Sequence, residues 1–393
     1  MRRFRPHLVP ATLILVLVTV LSAVGQRAAA DGSVTLPSVR TRLAAGQPCV
    51  TASGRKAKAQ TWAQQALGLS RTWQLTQGAG VTVAVVDTGV GTSVPALAGR
   101  VEAVGEAGRD CVGHGSFAAG LIAAAPLSGT GVVGVAPQAR ILALRGTDER
   151  GATTPSTVAR AIRDAADRGA EVIYAAQTLL DGRQELTDAV DYAARKDAMV
   201  VAPAAPDTAP ENADSGQPDT TARPYFPAFI PQVLSVSDYG PNGSRAEQAP
   251  SPFAPDLAAP GDLVVSVGPR GPGHFIGSGS SFAAAYVAGA VVLVRARHPE
   301  MTAAQVIRQV QGTAYPAAPP LLDPFAAVSA VLPDRQPSAS PPALVRIAPS
   351  APTTYRRRAL AVAGGAASVA LLVAAAAVIV PRGRVRRWRP GAQ

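Results

Sequence analysis

An acid, a base and a hydroxyl occur in this chain in the order aspartate, histidine, serine, each within two residues of a glycine. They are Asp87 in VTVAVVDTGV, His114 in CVGHGSFAAG and Ser281 in GSGSSFAAAYVAG. Serine is a weak nucleophile unless a neighbouring base takes its proton, and the base needs a partner that orients the imidazole and stabilises its cation. The three together suit acyl transfer through a serine. Taken singly, each block has a plainer reading. A strand-end Asp beside a Gly is commonly a turn former, and three serines (Ser278, Ser280 and Ser281) crowd one glycine-rich turn where any of them can cap a helix. Of the four histidines, His7 lies in an apolar leader, His298 follows a helical stretch, and His274 falls in glycine-rich PRGPGHFIGSG, which reads as a surface loop. His114, between two glycines and ahead of a small-residue helix, is the stronger base. Ser281 opens a long apolar stretch, where the free N–H groups of a helix start, its own included, favour developing negative charge.

The segments that must position these residues alternate short β-branched runs with amphipathic stretches between Ala79 and Leu332. That is the pattern of an α/β domain with a mostly parallel sheet. Strands are expected at Val81 to Val86, Arg140 to Leu144, Glu171 to Tyr174, Ala198 to Ala202, Gln232 to Val236 and Leu263 to Val267, largely apolar as when both faces are covered. Asp87 then falls at the C-terminal end of the first, where open α/β sheets present functional groups. Thr154 and Pro155 start a helix with Val158, Ile162 and Ala165 on one face and Gly169 at its end. A second helix carries Leu186, Val190 and Ala193, and Thr302 with Gln305 forms a capping box ahead of Val306, Ile307 and Val310. Pro203 to Pro231, rich in Pro, Asp and Thr, is too long for an ordinary connection and reads as a surface loop or insertion.

Both ends carry membrane-related signals. Residues 1–30 have a basic start, an apolar run and small residues before Asp31, the layout of a secretory signal. Ala359 to Val380 is an uncharged apolar stretch followed by five arginines, long enough to cross a bilayer core of about 30 Å. The expected organisation is a signal peptide over 1–30, an extension over 31–78, an α/β domain over 79–332, a Pro-rich tether over 333–358, a transmembrane helix over 359–380 and a basic cytoplasmic tail over 381–393. The α/β domain then lies outside the cell membrane, anchored by one span. Much of the net charge of +11 belongs to the leader and the juxtamembrane arginines, and no basic stripe interleaved with aromatics appears, so nucleic acid is not an expected partner. In an exported domain Cys49 and Cys111 are expected to pair, closing a loop of about 60 residues worth about 4 kcal/mol. Metal ligation is the weaker alternative, because two isolated thiols make no zinc site, and no dense acidic loop offers a calcium site. No metal or cofactor is expected.

VAVVDTG, GHGSFAAG and GSSFAAAYVAG resemble the three active-site blocks of the subtilisin-like serine proteases, and their register selects Ser281 over Ser278 and Ser280. The stretches AQTWAQQALGLSRTWQLTQGAGVTVAVVDTGV, DCVGHGS, GVAPQARILALR, LAAPGDLVVSVGP and LLDPFAAVSAVLP are similar to one branch, the mycosins. These are membrane-anchored subtilases of actinobacterial type VII secretion systems. The likeness spans roughly residues 45 to 332. It implies a subtilisin-like three-layer α/β fold, catalytic Asp87, His114 and Ser281, and a disulfide from the extension to the segment before the catalytic His, which Cys49 and Cys111 match. It also implies an extension that wraps the domain and need not act as a removable inhibitor.

One block departs from the family. Subtilases have an asparagine after a buried strand, in a stretch like VVAAAGN, that donates to the oxyanion. Here MVVAPAAPD puts Pro206, or Asp207 with a one-residue shift, at that place. Proline has no donor, and an ionised aspartate repels an oxyanion. The backbone N–H of Ser281 remains as a donor, and Asn212 in the following loop is a second candidate. The substrate-pairing strand, usually like INMSLG, is here IYAAQTL, around Tyr174 to Leu179; Ser280 stands where threonine is usual and Ala285 where proline is usual. Two functions follow from the resemblance. One is a slow or selective endopeptidase acting on exported proteins beside type VII secretion components. The other is a catalytically weak or inactive member that stabilises the membrane secretion complex.

Overall fold

The computed structural model describes residues 34–212, 215–332 and 354–385. The expected signal peptide, most of the tether and most of the basic tail lie outside the described residues. Two compact units divide at residue 332, and each is described by itself.

In the first unit, seven strands form one parallel sheet: β1 (Thr82–Asp87), β2 (Val101–Ala103), β3 (Arg140–Arg145), β4 (Val172–Ala175), β5 (Met199–Pro203), β6 (Val233–Tyr239) and β7 (Leu257–Pro260), in the spatial order β2-β3-β1-β4-β5-β6-β7. Successive residues of β1 point into opposite layers. Val83 and Val85 join the larger core while Ala84 and Val86 join the other, so each face of the sheet buries its own set of helices. The chain leaves β1 toward β2 and β3 on one side and returns to β4 on the other. β1 therefore ends at the point where the strand order reverses, the usual place for a ligand cleft in an open α/β sheet.

The larger core holds α3 (His114–Ala123) and α6 (Ser280–Arg297), followed by α7 (Ala303–Gly312) and α8 (Pro324–Ser329). α3 is buried along its whole length and α6 from Ser280 to Arg295. Their alanines and glycines let backbones approach closely: at Gly115 a Cβ would collide with the carbonyl oxygen of Gly89. The opposite face carries α4 (Pro155–Asp167) and α5 (Arg183–Arg195), whose apolar stripes are Val158, Ile162 and Ala165, and Leu186, Val190 and Ala193. Thr154 accepts from the Thr157 N–H at the start of α4, and Thr302 with Gln305 forms the capping box of α7.

Two expectations are corrected. The run from Leu263 to Val267 does not join the parallel sheet: β8 (Val264–Val267) pairs antiparallel with β9 (His274–Gly277). His274 is therefore on a strand and not in a surface loop. Its side chain is buried, and its Nδ1 accepts from the Ala57 N–H at 2.9 Å. The sequence around it is glycine-rich because Gly273 must pass the backbone of Ser53, where a Cβ has no room.

The segment before β1 carries the short helices α1 (Trp62–Ala66) and α2 (Leu69–Thr72) and runs against the α/β layers. Val39 donates to Ile276 O at 2.9 Å and Ile276 donates to Pro37 O at 3.0 Å, extending the β9 edge. Trp62 and Trp73 donate through Nε1 to Leu263 O and Val135 O. Cys49 and Cys111 form a disulfide, beside a backbone bond from Val50 N–H to Cys111 O.

The second unit contains α9 (Thr354–Val385), which encloses the expected span 359–380. Within Arg357–Val385 an exposed apolar stretch of 18 residues has a mean hydropathy of 2.3, and by length and composition the helix can cross a bilayer. α6 passes the same composition test yet is 89% buried within the first unit. It is a core helix.

Candidate active site

Asp87 is the last residue of β1, His114 the first of α3 and Ser281 the second of α6. All three are at most 4% exposed. His114 Nδ1 lies 2.8 Å from Asp87 Oδ2 and 3.0 Å from Oδ1, and Ser281 Oγ lies 3.1 Å from His114 Nε2. The fold thus brings the three predicted residues into one hydrogen-bonded chain, with carboxylate, imidazole and hydroxyl in the order that a serine triad uses.

The crowded serine turn also resolves. Ser278 Oγ accepts from the Leu263 N–H, Ser280 Oγ donates to Asp238 Oδ1 at 2.6 Å, and only Ser281 faces His114. None of the three caps α6. Its N-cap is Gly279, at φ 151°, and it makes no side-chain capping bond. That glycine is required twice over, by its backbone angle and because a Cβ there would collide with the Asp207 carboxylate.

Several residues that the sequence did not single out hold this arrangement. Asp110 accepts from Thr88 Oγ1, the Gly113 N–H and the Ser116 N–H, pinning the turn that enters α3 to the end of β1. Burial pushes its carboxyl up against these bonds, and nearby Asp87 adds to the shift. Arg145, the last residue of β3, donates to Thr88 O, Glu106 O and Arg109 O. It ties together the two loops beside Asp87. Phe282 stacks under His114 with ring centroids 4.9 Å apart and packs on Phe117 at 4.7 Å. The weak signal for Asp110 and Arg145 is a polar residue next to a motif block. Nothing local announces which backbone atoms they reach.

At the place where a departure from the family pattern is expected, Asp207 faces the serine. Pro206 lines the cleft, and Asp207 reaches the serine. Ser281 donates to it twice, through N–H to Oδ1 at 2.9 Å and through Oγ–H to Oδ2 at 2.6 Å, and Asp207 Oδ2 also lies 3.0 Å from His114 Nε2. Its side chain is 6% exposed. Asn212 is used within its own loop, its Oδ1 accepting from the Ser215 N–H. Burial opposes a charge on His114, yet Asp87 and Asp207 on its two sides outweigh that and hold the imidazole well above its ordinary value. Tyr174 of β4 is buried below the site. Burial, then Asp87, then Asp207 push its hydroxyl well above the usual range, against a smaller opposing effect of nearby Ser281.

The cleft above these groups, about 530 Å³, is bordered by Thr147, Gly151, Thr153, Gln177 and Thr178 from loops after β3 and β4, and by Thr208 to Pro210 after β5. Arg42 of the N-terminal segment borders one end.

Residues 78–340 match the family model described as the subtilase family, peptidase S8. Mycosin-1 of Mycobacterium tuberculosis is 34% identical over 304 residues, covering 64% of this chain and 68% of that protein. Thermitase of Thermoactinomyces vulgaris is 35% identical over 58% of this chain and 80% of its own length. Among solved structures, MycP1 from the ESX-1 type VII secretion system superposes with a TM-score of 0.63 at 28% identity, covering 78% of this chain and 96% of that one. A chain of the intact ESX-5 inner membrane complex gives 0.61 at 26% identity, with 89% and 100% covered. By sequence and by fold, this chain belongs to the subtilase family, in its mycosin branch.

Proposed function

We propose that this protein is a serine endopeptidase in which Ser281 attacks the scissile carbonyl, His114 takes and returns the proton, and Asp87 orients the imidazole and stabilises its cation. The supporting observation is the unbroken Asp87–His114–Ser281 chain at 2.8 and 3.1 Å. As Ser281 Oγ bonds to the carbonyl carbon, its proton passes to His114 Nε2. When the C–N bond breaks, that proton leaves with the amine, and water repeats the sequence on the acyl-enzyme. The Ser281 N–H, at the start of α6 and bonded to Asp207 Oδ1 in the structure, is the backbone donor for the oxyanion once that bond is released. The protein acts on exported proteins beside a type VII secretion membrane complex, held there by α9 with the α/β unit outside the membrane. The relatives found in such complexes and the exposed apolar helix support this placement.

Reaction of the full-length protein with a fluorophosphonate, which captures only an activated serine, tests the chemistry. Labelling that disappears in Ser281→Ala is the expected result. Asp207 favours a second reading, a scaffold subunit of the secretion complex, because its carboxylate fills the place of an oxyanion donor. Absence of Ser281-dependent labelling in the wild type and in Asp207→Asn would leave that reading standing.

A further inference from the structure

Resting on the protease reading, we propose that Asp207 is the side-chain half of the oxyanion hole, acting as a protonated carboxylic acid, and that its ionised form closes the hole. In the structure the Asp207 carboxyl already occupies the Ser281 N–H and sits between Ser281 Oγ and His114 Nε2. A carboxylate there excludes a substrate oxyanion by charge and by filling its donor. A protonated carboxyl holds the Ser281 N–H more weakly, so an incoming oxyanion displaces Oδ1 and accepts from the freed N–H and from the carboxyl O–H, the kind of donor an asparagine amide supplies in other subtilases.

The proton is within reach. His114 Nε2 and Asp207 Oδ2 are 3.0 Å apart, and moving one proton from Nε2 to Oδ2 leaves a neutral imidazole and an acid at the hole. Both forms that the reaction needs arise from one transfer. Ser281 Oγ then bonds to the carbonyl carbon, the π pair moves to oxygen, and that oxygen accepts from the Ser281 N–H and the Asp207 O–H. The Oγ proton passes to His114 Nε2 and departs with the amine, leaving Asp207 protonated beside the acyl-enzyme.

The surroundings bear on where that proton stays. Asp87 on β1, His114 on α3 and Tyr174 on β4 face the site from below. Asp238 on β6, Arg245 and Asp262 border the cavity on the other side of Asp207, where Arg245 is already paired with Asp238 at 2.8 Å. Arg42 borders the cleft. The cation bonded to Asp207 is His114, so the two share a proton as a coupled pair. The raised position of His114, to which Asp87 and Asp207 both contribute, keeps the proton available at Nε2 beyond the pH at which a free imidazole loses it.

The consequence is an inverted pH profile. With one shared proton the pair is competent. When the pair loses that proton, the Asp207 anion shuts the hole. A common triad gains activity as its histidine deprotonates and then holds a plateau. The test is the rate of fluorophosphonate labelling of the full-length protein from about pH 5 to about pH 10, for wild type and Asp207→Asn, with Ser281→Ala as blank. Expected is a wild-type rate that falls on the alkaline side, an Asp207→Asn rate that rises to a plateau, and a separation of at least about 10²-fold at the alkaline end. A wild-type rate that rises with pH in parallel with Asp207→Asn overturns the proposal and leaves the protease reading intact. Absence of Ser281-dependent labelling in both overturns both. The slope for the wild type decides the matter even if the variant misfolds.

Discussion

The two walls of the cleft are built differently. On one wall, Asp87, His114 and Ser281 stand at the ends of β1, α3 and α6, elements buried in the larger core and braced by Asp110, Arg145 and Phe282. On the other, Pro206, Asp207 and Thr208 belong to an irregular stretch that begins where β5 stops at Pro203. The first wall carries the three blocks that resemble the subtilase active site, and the second the stretch expected to depart from the family pattern. Shifting a residue at the end of a buried strand or helix displaces a packed core. A loop can exchange a side chain while the framework stays in place. The chemistry of this branch member is therefore expected to diverge through the β5 loop.

The comparison can be broken or sharpened by substitution. The largest effect is expected on the first wall. Ser281→Ala should lower peptide hydrolysis by about 10⁶-fold, the loss that removal of the triad serine causes in subtilisin itself, measured as turnover with folding checked by circular dichroism. A residual rate near wild type would remove Ser281 from the chemistry. Phe282→Ala takes away the ring under His114 and should destabilise the fold by about 3–5 kcal/mol, read from denaturant unfolding. A loss below about 1 kcal/mol would show that this wall is less tightly packed than its burial implies. Cys49→Ser, tested under oxidising conditions, should cost about 2–5 kcal/mol by opening the loop that ends just before α3.

Acidity links the two walls. His114 is raised in the fold, so the stability its charge contributes is fully present below its unfolded value of about 6.5 and lost as pH rises through the higher folded value. The melting temperature should fall over that alkaline window, and Asp207→Asn should move the fall to lower pH by removing one of the two carboxylates. An unchanged profile in Asp207→Asn would mean that the second wall does not feel the first. The smallest effect is expected for Pro206→Asn. Because Asp207 and not Pro206 is bonded to Ser281, labelling should change by no more than about threefold; a large gain would instead identify 206 as the donor position.

Much of the first wall was legible. Apolar runs with glycine punctuation located β1, β3, β4, β5 and β6 to within a few residues, because strands covered on both faces must be almost wholly apolar. The capping patterns at Thr154 and Thr302 marked the starts of α4 and α7 because they are local hydrogen-bond chemistry. Less was legible where partners are distant. β2, at the sheet edge, is three residues long and half exposed, so it leaves no apolar run. β9 was missed because glycines chosen for close backbone passage look like a loop. Position 206 or 207 stayed open because a one-residue difference in a proline-rich stretch leaves no periodicity to count.

The sequence by itself determined the class of the chain, the three residue types and their blocks, the cysteine pair and the apolar stretch that becomes α9. Motif spacing, composition and local propensity are properties of neighbours along the chain. Only the tertiary structure decided that Ser278 and Ser280 are held by Leu263 and Asp238, that His274 is buried on β9, and that Asp207 is bonded to both Ser281 and His114. Those outcomes depend on elements 27 to 167 residues apart in the chain being set by the sheet and the larger core to within a hydrogen bond's length.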